Sequence, residues 1–209
     1  GWDLYTSDIN AIHAAFDDLC TASNGYLSKV RDYGVVYTGN ADNTEYSANS
    51  EWHIYEYMTR PCPPSITALP KIAITCGIHG NEKMSVYAMY YLLYDLIHNS
   101  TQNPVLSFLR SNCIITFLPM CNPYGFMKNP PTRLNENGVN LNRNFPTYNW
   151  DTWEDNRTDG NGSEPGGQNY KGTSAGSETE TQAVMKFYRN NYDAVLSIDL
   201  HTNGANTSS

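Results

Sequence analysis

The sequence predicts an α/β fold, a mixed and mostly parallel β-sheet sandwiched between helices. Three observations lead there. Apolar runs of strand length at residues 71–76, 113–118 and 194–200 alternate with longer segments of helical spacing, the pattern of strand–helix–strand units. The runs are bounded by turn residues such as Gly77 and Asn122-Pro123. Residues able to carry chemistry stand just beyond the first and last runs, His79 and Glu82 after one and His201 after the other. Sites in open α/β sheets lie beyond the carboxyl ends of the strands.

Taken in order, Ser7 precedes Ile9, Ile12, Ala15 and Phe16 at helical spacing, which predicts a helix capped by Ser7 and ending near Asn24-Gly25. Residues 28–37 and 52–58 read as strands, the second with rough period-two alternation. Residues 39–49 between them are polar and turn-rich. Pro61-Cys62-Pro63-Pro64 is a rigid connection that no central strand accommodates. After the strand at 71–76, a helix is expected over 82–99, with Met84, Tyr87, Ala88, Tyr91 and Leu92 on its apolar face. A short helical piece at 104–110 leads to the strand at 113–118. A helix over 178–190 feeds the final strand.

Residues 146–177 are rich in Gly, Asn, Asp and Ser and lack periodicity, so a long functional or mobile loop is expected. Asp155, Asp159 and Gly160 faintly suggest a calcium loop. Arg157 and Gly166 stand where that loop needs oxygen ligands, and the reading is rejected.

The 209 residues suit one domain, residues 1–209, with a sizeable core. A net charge of −8 argues against a nucleic-acid partner, because phosphates would be repelled. No apolar run reaches the length of a membrane span; residues 86–97 carry Asp95 and four tyrosines and read as a helix packed on a sheet. No membrane partner is expected. None of the five cysteines forms a Cys-x-x-Cys, which disfavours a cysteine zinc site. Cys76 and Cys121 read as buried free thiols. Asn-x-Ser/Thr triplets begin at Asn99, Asn156, Asn161 and Asn206; chance explains them in so asparagine-rich a chain, and the compartment leans only weakly towards extracellular.

His79 and Glu82 stand three apart at a strand-to-helix junction, where side chains at that spacing point the same way. His201 adds an imidazole from another strand end. Two histidines and a carboxylate suit a mononuclear zinc site with an open position for water. His13, His53 and His98 lie in ordinary helix or strand contexts and are expected to be structural. Arg143 offers a planar fork that matches a carboxylate, and Asn142 a neutral donor. Arg133 is a second cation, suited to stabilising an oxyanion.

These motifs come in a distinctive order: Gly77-Ile78-His79-Gly80-Asn81-Glu82, Asn122-Pro123-Tyr124-Gly125-Phe126, Thr132-Arg133-Leu134-Asn135, the run from Gly138 to Pro146, and Ile198-Asp199-Leu200-His201. Together they resemble the zinc carboxypeptidase family of the carboxypeptidase A type. The resemblance implies one zinc ion (Zn2+) per chain, held by His79, Glu82 and His201. It implies that Arg133 polarises the scissile carbonyl and that Asn142 and Arg143 bind the free carboxylate of a peptide substrate. It also implies a mixed eight-stranded sheet between helices, and places the long loop after Pro146 near the cleft rim.

The chain departs from the family pattern in two respects. Asn140 stands where the family commonly has Asp; supporting His79 from behind, a neutral amide would make it a less basic ligand. The chain also stops eight residues after His201, so the family's general-base glutamate, capping tyrosine and much of its specificity pocket have no counterpart here. The fold is therefore expected to be incomplete at its C-terminal end, with an exposed sheet edge and poor solubility. The favoured expectation is zinc-dependent removal of a C-terminal residue from peptides. The alternatives are a related deacylase of N-acyl amino acids, a cell-wall γ-glutamyl peptidase, or a binding module without turnover.

Overall fold

The computed structural model describes residue 6 and residues 8–38, 51–61, 68–152 and 164–202. Helix α1 (Ile9–Ala22) is followed by strands β1 (Leu27–Thr38), β2 (Glu51–Thr59) and β3 (Lys71–Cys76). Next come helices α2 (Met84–His98) and α3 (Pro104–Asn112), strand β4 (Ile114–Leu118) and the one-turn helix α4 (Pro123–Met127). Helix α5 (Thr179–Asn190) and strand β5 (Leu196–Leu200) complete the described elements. Among the described residues the sheet has five strands in the order β1-β2-β4-β3-β5. It is mixed: β1–β2 and β2–β4 pair antiparallel, while β4–β3 and β3–β5 pair parallel.

Alternation along the strands sends neighbouring residues to opposite faces. On β3, Ile74 and Cys76 join the cluster covered by α1 and α2, and Ala73 joins the cluster under α5. Helix α1 presents Ile9, Ile12, Phe16 and Leu19 to the first cluster, each worth about 1.5–3 kcal/mol when fully buried. Helix α5 presents Ala183, Val184 and Phe187 to the second. Helices thus cover both faces. Across the α5 side, the buried Glu56 carboxylate accepts hydrogen bonds from Arg31, Tyr33, Thr116 and Asn191 at 2.6–3.0 Å. That set ties β1, β2, β4 and the end of α5 around one charge, which burial would otherwise make costly.

Two local expectations change. The cap of α1 is Asp8, whose side chain accepts from the Asn10 N–H at 2.8 Å; Ser7 lies outside the described residues. On α2, Met84 and Ala88 face solvent, while Val86, Met89, Tyr90, Leu93 and Leu96 are buried. A helix with apolar or tyrosine side chains nearly all round gives periodicity little power to choose its inner face. Helix α4 was not foreseen; Pro123 opens it and the Asn122 side chain caps it by accepting from Gly125 N–H at 2.9 Å. Cys76 and Cys121 are buried free thiols, as expected, and burial raises both thiol pKa values. Cys62, the Pro-rich connection around it, the turn-rich 39–49 stretch and the rejected calcium loop fall outside the described residues.

Candidate metal centre

Strands β3 and β5 run parallel as neighbours, with Cys76 opposite Leu200. The chain therefore leaves both strands at the same end of the sheet, and residues just past each end must meet. Gly77 makes the turn after β3 with φ of +66°, a backbone that other residues adopt only with strain. Gly80 then lies against α4, so close that a Cβ there would overlap the Gly125 carbonyl carbon and the Phe126 nitrogen. These two glycines let the chain turn back tightly beneath His79.

The Glu82 carboxylate is the hub. One oxygen lies 2.8 Å from His79 Nδ1 and 3.4 Å from an Arg133 guanidinium nitrogen. The other lies 2.8 Å from His201 Nδ1 and accepts the Thr202 N–H at 3.1 Å. His79 and Glu82 are buried, with 1% and 6% of their surface exposed, and the His201 side chain is about one-third exposed. The imidazole centroids stand 4.9 Å apart. One ligand-capable atom from each of the three residues falls within 4.8 Å of the others.

The far nitrogens are also engaged. His79 Nε2 faces Asn140 Oδ1 at 3.1 Å, and His201 Nε2 faces Asp199 Oδ2 at 2.8 Å. Asp199 is itself fixed by the Thr75 hydroxyl at 2.8 Å. An imidazole that donates from Nε2 presents a bare lone pair at Nδ1. At 2.8 Å each Nδ1 either donates its own proton to a Glu82 oxygen or, when bare, faces that oxygen across the space a cation would share. Burial and the neighbouring Arg133 lower the His79 pKa, which favours the neutral ring. The hydrogen bond to Asp199 raises the pKa of His201. Burial pushes the Glu82 carboxyl up, yet the Thr202 N–H and the two neighbouring imidazoles outweigh it and hold the group below its usual value. Two imidazoles and a carboxylate, each with a ligand-capable atom within 4.8 Å of the others, form a donor set that fits a zinc ion.

Asn140 joins this centre to the second group of expected residues. Its Oδ1 faces His79 and also accepts the Asn142 N–H at 3.1 Å, capping the short 3-10 turn Leu141–Arg143. Asn142 and Arg143 then line an open cavity of about 260 Å³ with Phe145, Thr147, Asn149 and Trp150. Trp150 is anchored by donating its indole N–H to the Arg143 carbonyl at 2.9 Å, and Lys171 lies over its ring at 4.3 Å. The start of the long loop thus forms a cleft wall.

The structure brings His79, Glu82, His201 and Arg133 into one cluster and sets Asn142 and Arg143 beside it. The other histidines stay apart: His13 packs edge-on to Tyr55, His53 pairs with Asp32 at 2.9 Å, and His98 packs on Tyr94. Burial brings the His13 pKa down to about 4. Sequence reading passed over Asp199 and Thr202. Asp199 had a usable signal, since it precedes His201 by two on a strand, where i and i+2 share a face; Thr202 acts through its backbone and left none.

The family model for zinc carboxypeptidases matches residues 34–207. The chain belongs to the zinc carboxypeptidase family. Human mast cell carboxypeptidase A is 28% identical over 132 residues, covering 57% of this chain and 30% of that protein. Among solved structures, thrombin activatable fibrinolysis inhibitor superposes with a TM-score of 0.74 at 21% identity, over 92% of this chain and 46% of the other. Carboxypeptidase A from Helicoverpa armigera gives 0.72 at 20% identity, over 95% and 46%. The chain thus spans under half the length of each of these relatives, and shares the carboxypeptidase fold over nearly all of its own. That family is one of metallopeptidases, which are hydrolases. Among the described residues no helix is long and apolar enough to cross a membrane.

Proposed function

We propose that the protein is a metallocarboxypeptidase that removes the C-terminal residue from peptides, with His79, Glu82 and His201 holding zinc. One observation carries the reading: two imidazoles fixed from behind by Asn140 and Asp199 turn their remaining nitrogens onto one buried carboxylate. That arrangement serves a cation, and family membership makes zinc the natural one. Zinc bound there would supply a Lewis acid and lower the pKa of a bound water towards neutrality.

The chain's own residues supply the rest. Asn142 and Arg143, on the cavity wall, would hold the terminal carboxylate, Arg143 by a charged fork and Asn142 by a neutral donor. Binding at that end fixes which peptide bond reaches the centre, the requirement for an exopeptidase. Arg133, already against Glu82 at 3.4 Å, would donate to the carbonyl oxygen as negative charge develops on it. Losing one such donor typically costs about 3–4 kcal/mol of transition-state stabilisation.

Elemental analysis combined with a substrate panel tests the reading. Wild-type protein is expected to carry about one zinc per chain, and His79→Ala to lose it. A blocked dipeptide with a free carboxylate should be cleaved in preference to its C-terminal amide, an N-acyl amino acid and a γ-linked muropeptide. Preference for either of the last two would move the protein to a deacylase or cell-wall peptidase. Absence of zinc after reconstitution would leave a binding module.

A further inference from the structure

We infer that Glu178 is a positioning residue that holds the Arg133 loop and the Arg143 turn in fixed relation, so that the two cations act on one substrate. The inference rests on the carboxypeptidase reading above. Glu178 stands at the N-cap of α5, yet its side chain makes no hydrogen bond to that helix. It turns instead towards the loops and is buried, with 5% of its surface exposed. One carboxylate oxygen accepts from Asn135 Nδ2 at 2.7 Å and Asn137 Nδ2 at 2.8 Å. The other accepts from the Ser177 hydroxyl at 2.6 Å.

Each partner leads to a cation. Asn135 lies two residues after Arg133, and its own Oδ1 accepts the N–H groups of Asn137 and Val139 at 3.1 and 3.0 Å, fixing the shape of that loop. On the other side, Ser177 Oγ accepts from Asn144 Nδ2 at 3.0 Å, while Glu178 donates its backbone N–H to Asn144 Oδ1 at 3.1 Å. Asn144 is fully buried and adjoins Arg143. Its amide also donates to the carbonyls of Lys171 and Ser174 at 2.9 and 3.1 Å. Glu178 is thus bonded to both segments, through its carboxylate to Asn135 and Asn137 and through its backbone N–H to Asn144.

The chemistry explains why a carboxylate stands there. All three side chains facing it are donors, and an ionised carboxylate accepts at both oxygens. An amide has one acceptor and would set its NH₂ against a neighbouring donor. Ser, Thr, Asp or Asn would cap α5 better, so the identity of residue 178 serves the loops rather than the helix.

The test uses zinc-loaded protein, with zinc counted by elemental analysis and kcat and KM measured on a blocked dipeptide with a free carboxylate. Glu178→Gln should keep its zinc, because the proposed metal ligands come from other segments, yet raise KM and lower kcat by about tenfold or more each. The single contacts should split the effect. Ser177→Ala loosens the Arg143 side and should raise KM with kcat little changed; Asn137→Ala loosens the Arg133 side and should lower kcat with KM little changed. Full zinc with unchanged kcat and KM in Glu178→Gln overturns the inference. So does a common loss of both constants in the two single-contact variants, which marks a merely structural role. If Glu178→Gln does not fold, the split between Ser177→Ala and Asn137→Ala decides the matter alone. A wild-type protein that neither prefers nor cleaves the free carboxylate sinks the peptidase reading itself, and this inference with it.

Discussion

Asn140 concentrates three roles in one side chain. Its oxygen faces His79 Nε2, the same oxygen caps the turn carrying Asn142 and Arg143, and its amide donates to the Gln168 carbonyl at 2.8 Å. As a neutral acceptor it fixes the His79 tautomer but adds little electron density to the ring. A carboxylate there would make His79 more basic towards a metal. Asn140→Asp is therefore expected to bind zinc about tenfold more tightly, and Asn140→Ala about 10–100-fold more weakly, both read by chelator competition. Equal affinities in all three proteins would show that the contact does not reach the metal. The six residues singled out from sequence were all legible as chemistry, because histidine, glutamate and arginine at motif spacing are informative by type. The supporting contacts were less so: that Asn140 meets His79, 61 residues away, is a matter of folding.

At the scale of elements, the first turn of α5 carries a second buried acid beside Glu178. Glu180 is 2% exposed and shares Asn135 with Glu178, accepting its amide at 3.2 Å. Burial pushes the Glu180 carboxyl up to about 7 from an ordinary 4.5, and the Glu178 charge adds to the rise. A raised folded-state pKa means that the folded protein binds this proton more tightly than the unfolded chain. Its stabilisation is complete below about pH 4.5 and is lost as pH climbs through about 7. The full difference corresponds to about 3 kcal/mol. Glu180→Gln, which keeps the shape without the charge, should gain stability relative to wild type between pH 5 and pH 8, by about 2.5 kcal/mol from urea unfolding. A constant difference across that range would show that Glu180 does not titrate in the folded protein. Helix α5 as such was readable from its apolar spacing; the burial of two acids in its first turn was not, because glutamates at a helix start normally read as exposed, dipole-favouring residues.

For the molecule as a whole, the sheet order leaves β5 at an edge among the described residues. Val195 and Leu196 are 72% and 48% exposed. An open edge with exposed apolar side chains is a template for association. These 209 residues expressed alone are therefore expected to self-associate, and Leu196→Lys to reduce the association, as followed by light scattering. A monomer that melts cooperatively would show that the edge is harmless. The same edge strand leads into His201, the most exposed of the three candidate metal ligands.

The sequence alone determined the class of fold, the positions of its main strands and helices, and the residue types of a candidate zinc site, because apolar periodicity and side-chain chemistry are local properties. It could not choose the buried face of α2, where tyrosines and aliphatic residues surround the helix. Nor could it foresee that Asp199 meets His201 or that Glu178 bonds to both Asn135 and Asn144. Those pairings depend on parallel register, with Cys76 beside Leu200, and on how α5 packs against the turns. Only the tertiary structure brings together groups separated by tens of residues and sets which oxygen meets which nitrogen.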